Sequence, residues 1–235
     1  MKIVPLVCAL LAFPVLAAEV ETTQVYIDNG QLEYVGQLDD AANRRLFDLY
    51  EKASTKPTVL DIRSIGGEVN AGMQLGSWVR ARKLDVRVME FCLSSCANYV
   101  FTAGLKKTVS NFALIGYHGG PGKSRFDAST QKMYDALDPA GQKAFMNEIA
   151  SVLARDSRRE ADYFKQIGVR ADLSSLGQQP QYDALRNSTD AALWTYSLEG
   201  FAALGVRDIT VINPPWKPGS AFRQLKAVTI PVTPD

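Results

Sequence analysis

The feature that most constrains the fold is a repeated alternation of short apolar segments with longer amphipathic ones. Residues 59–62 and 85–89 are rich in branched apolar side chains, which is typical of buried strands, and helical spacing of apolar residues follows the first of them. Strands that are joined through helices run parallel, so this pattern predicts an α/β fold. Asn29-Gly30 between two further strand-like segments predicts a β-hairpin near the N-terminus.

Residues 1–18 are predicted to be a secretory signal peptide. Lys2 is followed by an apolar run to Leu16 that is too short to span a bilayer, and small residues precede the first acidic one. An uncleaved anchor is the alternative. We expect an exported protein in which residues 19–212 form one domain and the proline-rich tail, 213–235, lies outside the core as a docking arm or loose end. The sequence contains no later apolar segment that is long enough to cross a membrane.

Charge and cysteine content exclude several classes of function. The chain has 26 basic and 25 acidic residues, so it offers no electrostatic case for binding nucleic acid or an anionic membrane. Cys92 and Cys96 remain after loss of the signal peptide and bracket Ser94 and Ser95. An oxidising compartment favours a disulfide between them, which requires Cys92 to lie outside any helix that contains Cys96. Because the chain has a single histidine, we predict no metal site.

The segment 90–101 places two serines in a turn between a predicted strand and a predicted helix. The first N–H groups of a helix and its dipole stabilise developing negative charge. Gly66-Gly67 follow another predicted strand, and adjacent glycines let backbone N–H groups come close to a reacting carbonyl. The simpler alternatives are that the serines only cap a helix and that the glycines only form a turn.

Three segments, in this order, resemble the motifs of Clp-type serine peptidases. Residues 62–73 resemble the region of the glycine motif, residues 95–104 the nucleophile helix, and residues 115–118 the histidine strand. The resemblance covers residues 58–122 and extends more loosely to Val211. It implies the spiral ββα-repeat α/β fold shared by Clp peptidases and crotonases, a homo-oligomer, and a location in the periplasm.

The resemblance also implies roles for individual residues. Ser95 matches the nucleophile and His118 the general base, while the backbone N–H groups of Gly67 and Cys96 match the oxyanion donors. Ser94 is the alternative nucleophile.

The third triad residue is less well defined by the sequence. Asp190 is the nearest match to the family position, and its alternative role is that of a helix N-cap. Ile65 also departs from the family pattern, which has proline there. The other candidates for the third position are Asn187, Asp183 and Asp208.

The expected function is therefore that of an ATP-independent serine hydrolase, a peptidase that acts on peptides or proteins without a cofactor. One alternative is a catalytically inactive protein of the same fold that binds peptides or assembles other proteins. A crotonase-type acyl-thioester enzyme is disfavoured because coenzyme A is cytoplasmic. A Ser–Lys hydrolase would need Lys106 or Lys107 near the serine, and His118 makes that arrangement unnecessary.

Overall fold

The computed structural model of the chain describes residues 22–119, 128–189, 191–222 and 224–233. The predicted signal peptide, 1–18, and Asp190 lie outside these residues. Within the described ranges, every helix is too short or too polar to span a bilayer.

Helices alternate with mostly parallel strands along the chain, which confirms the predicted α/β class. Within the described residues the strands are β1 (Gln24–Asp28), β2 (Gln31–Val35), β3 (Val59–Arg63), β4 (Asp85–Val88), β5 (Phe91–Leu93), β6 (Lys107–Ser110), β7 (Leu114–Gly116), β8 (Leu193–Thr195), β9 (Ile209–Ile212) and β10 (Ala227–Thr229). The α-helices there are α1 (Asp40–Lys52), α2 (Val69–Arg82), α3 (Ala128–Asp135), α4 (Pro139–Ile167), α5 (Asp183–Thr189) and α6 (Leu198–Ala203). A π-helical segment, Cys96–Phe101, follows β5, and two 3₁₀ turns, Leu176–Gln178 and Pro180–Tyr182, precede α5.

The main sheet has six strands in the order β1-β2-β3-β4-β6-β9. Strands β1 and β2 form the predicted antiparallel hairpin, and the remaining neighbours are parallel. Asn29 and Gly30 both have positive φ, at 48° and 77°. This is the backbone of a two-residue turn whose twist matches that of the strands, which explains why Asn-Gly predicts the hairpin correctly.

A second row of strand pairs accompanies the main sheet. Strand β5 pairs with β7 and β8 with β10, both parallel. Two isolated bridges extend the row: Ser64, directly after β3, pairs with Cys92, and Tyr117, directly after β7, pairs with Trp194. The chain therefore passes from the main sheet into the second row after each of β3, β4 and β6.

Close packing of α2 against the π-helical segment positions the site. Gly72 and Gly76 lie on the face of α2 that meets Tyr99, and a Cβ atom at Gly76 would be 2.5 Å from the Tyr99 carbonyl oxygen. Only glycine permits this separation. As a result, the start of α2 and the two glycines before it lie against the helix that follows the serines.

The C-terminal tail packs on the domain, so the expectation that it lies outside the core is wrong. Val228 and Ile230 are buried, at 7% and 1% exposure, and β10 adds a strand beside β8. The Trp216 indole Nε1 donates to the Ala113 carbonyl at 2.8 Å, and its ring meets that of Phe201. Proline-rich composition indicates an extended chain, but the apolar residues between the prolines of this tail are buried against the core.

Candidate active site

The structure brings the only histidine of the chain into contact with a serine. His118 Nε2 lies 2.7 Å from Ser94 Oγ. Ser94 directly follows β5, and His118 lies two residues after β7, the parallel partner of β5. Pairing of these two strands therefore sets the two side chains next to each other.

The expected pairing of His118 with Ser95 is wrong. Ser95 is 2% exposed, and its hydroxyl donates to the Gly67 carbonyl oxygen at 3.0 Å instead of facing the imidazole. The reason is the backbone of the turn. Ser95 already has helical dihedral angles, with φ −56° and ψ −26°, whereas Ser94 has φ +54°. The left-handed residue is the one that presents its side chain to His118.

Three ties hold Ser94 in this unusual conformation. Its N–H donates to the Gly116 carbonyl oxygen, and its own carbonyl oxygen accepts from the Asn98 N–H, both at 2.8 Å. A left-handed conformation costs a non-glycine residue roughly 1–3 kcal/mol and is maintained only where the surroundings enforce it. Strained strand-to-helix turns of this kind present the nucleophilic serine in α/β-hydrolases.

The third tie is the predicted disulfide between Cys92 and Cys96, which is present in the structure. Cys92 belongs to β5 and Cys96 begins the π-helical segment, so the pair spans the turn with a Cα–Cα distance of 5.2 Å. Both cysteines are fully buried. The bridge therefore fixes the angle between strand and helix on both sides of Ser94.

The glycine loop lies directly against the serine turn. A Cβ atom at Gly66 would be 2.6 Å from Ser94 Cβ and 3.0 Å from the Ser95 nitrogen. Leu38 pins this loop, because its N–H donates to the Gly66 carbonyl and its carbonyl accepts from the Glu68 N–H. Among the loop and turn hydrogen bonds of the described residues, none uses the Gly67 or Ser95 N–H group as its donor.

The third triad position remains a prediction. Asp190 falls outside the described residues. Of its rivals, Asp183 forms an ion pair with Arg186, Asn187 is exposed, and Asp208 precedes β9 and accepts from the Lys107 N–H through its carbonyl. Within the described ranges, no acidic side chain forms a hydrogen bond with His118.

Gln178 is a neighbour of His118 that sequence reasoning missed. Its Nε2 donates to the His118 carbonyl oxygen at 3.3 Å. Gln178 lies 60 residues further along the chain, and nothing in its local sequence distinguishes it from other surface glutamines. Only the fold brings it to the site.

The Ser–Lys alternative gains no support from the position of Lys107. Its Nζ donates to the Arg207 carbonyl oxygen at 3.0 Å, at the start of β6. Burial lowers the pKa of Lys107 to about 8, partly offset by Asp208. This ammonium group therefore stabilises the β6–β9 edge and does not contact either serine.

A surface cavity lies apart from the serine turn. It has a volume of about 530 Å³, lies between α2 and α4, and includes neither Ser94 nor His118 in its lining. The serine turn offers a different environment, in which His118 is exposed and Ile65, beside the glycine loop, is 52% exposed. Within the described residues, no cluster of histidine, cysteine or acidic side chains has the size to hold a metal ion.

Comparison of the chain with protein-family models and with curated proteins found no match. The functional argument therefore depends on the arrangement itself. A hydroxyl in contact with an imidazole, next to free backbone N–H groups at a helix start, is an arrangement suited to acyl transfer.

Proposed function

We propose that this chain is a serine hydrolase, a peptidase that works without ATP or a cofactor after export to the periplasm. The observation that carries the proposal is the 2.7 Å contact between Ser94 Oγ and His118 Nε2. A serine hydroxyl attacks poorly unless a base takes its proton, and an imidazole at hydrogen-bond distance is the usual base.

In the proposed reaction, Ser94 Oγ attacks the substrate carbonyl carbon while His118 Nε2 accepts the hydroxyl proton. The negative charge that forms on the carbonyl oxygen is stabilised by the backbone N–H groups of Gly67 and Ser95. Collapse of the tetrahedral intermediate breaks the bond to the leaving amine, which receives the proton from His118. Water then attacks the acyl-enzyme in the same way, releasing the acid and restoring Ser94.

This assignment moves the nucleophile and one donor by one residue from the sequence expectation. The donor that belongs with a nucleophile is the N–H of the following residue, because it points to the same side of the helix start. With Ser94 as nucleophile that residue is Ser95, in place of Cys96. Gly67 keeps its proposed role.

The spiral Clp-type fold and the homo-oligomer are part of the proposal. The fold is supported by the order of the three motifs and by the passage of the chain from main sheet to second row after β3, β4 and β6. The homo-oligomer is proposed from the resemblance alone. Peptides are the proposed substrate class because the resemblance is to peptidases and because the site is open.

An inactive peptide-binding protein of the same fold is the second candidate. It is favoured by one observation, that no described acidic side chain orients His118. An imidazole that lacks such a partner is a weaker base, because the carboxylate normally fixes the ring and stabilises its cation.

A fluorophosphonate probe separates the two candidates. We expect the purified protein to be labelled, and labelling to fall to background in Ser94→Ala and in His118→Ala, because each change removes one partner of the 2.7 Å contact. Ser95→Ala is the matched control and should still be labelled. Wild-type protein that never reacts would support the binding protein, and labelling that persists in Ser94→Ala would exclude Ser94 as nucleophile.

A further inference from the structure

After β7, the backbone near His118 is held first by a pair of hydrogen bonds at Tyr117 and then by one hydrogen bond to His118 itself. Tyr117 exchanges two backbone hydrogen bonds with Trp194, at 2.8 and 2.9 Å. Beyond that bridge, the bond from Gln178 Nε2 is the one that holds the His118 main chain within the described residues. The side chain of His118 is exposed, so packing does little to fix it.

Gln178 is itself held firmly. It ends the 3₁₀ turn Leu176–Gln178, and its N–H donates to the Ser175 carbonyl oxygen at 2.9 Å. Gly177 lies so close to the Trp194 indole that a Cβ atom there would overlap the ring. Trp194 therefore contacts both Tyr117 and the turn that carries Gln178. These contacts fix the position of the Gln178 amide relative to His118.

The Gln178 amide also packs against Gly119, the residue after His118. Gly119 has φ +133°, and a Cβ atom there would overlap the Gln178 amide group. The amide oxygen, Oε1, is buried and has no hydrogen-bond partner among the residues that the structure describes. A buried acceptor without a partner is costly, so among the described residues the bond from Nε2 to the His118 carbonyl oxygen is the polar contact that fixes this amide.

We propose that Gln178 is a positioning residue for His118, which it holds through the carbonyl oxygen so that Nε2 stays within reach of Ser94 Oγ. This inference rests on the proposed function for its consequence in catalysis. It assigns to a neutral amide part of the orienting task that an acidic residue performs in other triads.

The test uses three variants of the full mature chain, purified without a polyhistidine tag. Gln178→Met keeps the size of the side chain and removes the donor, and Gln178→Glu keeps the shape but cannot donate to a carbonyl oxygen. Gln181→Met is the matched control, because Gln181 is exposed on the neighbouring turn and its side chain donates to Gln179.

Inactivation by the fluorophosphonate is measured as kinact and KI. We expect kinact to fall about tenfold in both Gln178 variants, with KI and thermal midpoint close to wild type, because one orienting hydrogen bond is lost. Gln181→Met should match wild type. A wild-type kinact in Gln178→Met or Gln178→Glu would overturn the inference, as would a loss explained by unfolding.

A second readout is independent of hydrolysis. The chain has one histidine, so the imidazole carbon–proton NMR signals belong to His118 alone. We expect these signals to shift or broaden in Gln178→Met and to stay unchanged in Gln181→Met. If wild type resists the probe, the hydrolase proposal fails, while unchanged imidazole signals in Gln178→Met would separately refute the positioning role.

Discussion

At the residue scale, the site depends on one serine in a conformation that serines avoid. Ser94 has φ +54°, and its backbone is held by hydrogen bonds to Gly116 and Asn98. The same conformation turns its hydroxyl to His118 and leaves the hydroxyl of Ser95 to bind the Gly67 carbonyl. The strained residue is therefore also the proposed nucleophile.

This strain predicts a stability difference between two inactive variants. Ser94→Gly relieves the left-handed conformation, whereas Ser94→Ala keeps it and also loses the hydroxyl. We expect Ser94→Gly to be more stable than Ser94→Ala by about 1 kcal/mol in urea unfolding. Equal stability of the two variants would mean that Ser94 is not strained in solution.

The position of Ser94 also shows what the sequence does not reveal. Two adjacent serines give the same local pattern, and serine is not among the residue types, such as asparagine and aspartate, that favour positive φ. The hairpin at Asn29-Gly30 was predictable because its turn is encoded locally. Gln178 was not, because its contact with His118 joins residues that are far apart in sequence.

At the scale of elements, the disulfide joins a strand to a helix across the serine turn. Removing it in the double variant Cys92→Ala/Cys96→Ala should lower the free energy of unfolding by about 2 kcal/mol, since the bridge closes only a small loop. The probe labelling rate should fall at least tenfold, because the turn loses its fixed angle. Labelling at the wild-type rate would show that the hydrogen bonds of Ser94 are sufficient. Two free thiols in unfolded wild-type protein would contradict the bridge itself.

Glu33, Asp61 and Arg87 lie side by side on β2, β3 and β4, and this arrangement leads to a prediction about the pH dependence of stability. Burial, with the Asp61 carboxylate opposite it on β3, raises the pKa of Glu33 from 4.5 to about 7, partly offset by Arg87. Between these values the folded chain holds a proton that the unfolded chain has released, so stability falls as pH rises through this window.

Glu33→Gln removes this titration. In urea unfolding, the variant should gain stability relative to wild type as the pH is raised from about 5 to about 8. Asp28→Asn, on the neighbouring strand β1, is a suitable comparison, because the Asp28 carboxylate raises the pKa of Glu33 less than burial and Asp61 do. A constant difference between wild type and Glu33→Gln across this range would contradict the raised pKa.

At the scale of the whole molecule, the C-terminal tail is connected to the histidine through a series of strand pairings. Strand β10 pairs with β8, and Trp194 of β8 pairs with Tyr117, the residue before His118. The sequence did not predict this, because parallel pairing of β10 with β8 joins segments that are distant in the chain and its short apolar run lies among prolines. The general α/β class was predictable because strand–helix alternation is a local pattern.

Because the tail is buried, shortening one of its apolar side chains should strongly lower the stability of the protein. Ile230 is 1% exposed, so Ile230→Ala should lower the free energy of unfolding by about 2–5 kcal/mol. Thr233→Ala, at an exposed position of the same segment, should change it little. Chemical denaturation of both variants provides the comparison. A small effect at Ile230 would indicate that the tail is detached in solution.

The central claim is that folding makes the Ser94 hydroxyl reactive by placing it against His118. The most direct measurement is tandem mass spectrometry of the fluorophosphonate-treated wild-type protein, which locates the modified residue within the peptide that contains both serines. The account predicts an adduct on Ser94 that disappears in His118→Ala. An adduct on Ser95, or one on Ser94 that forms equally well without the imidazole, would contradict it.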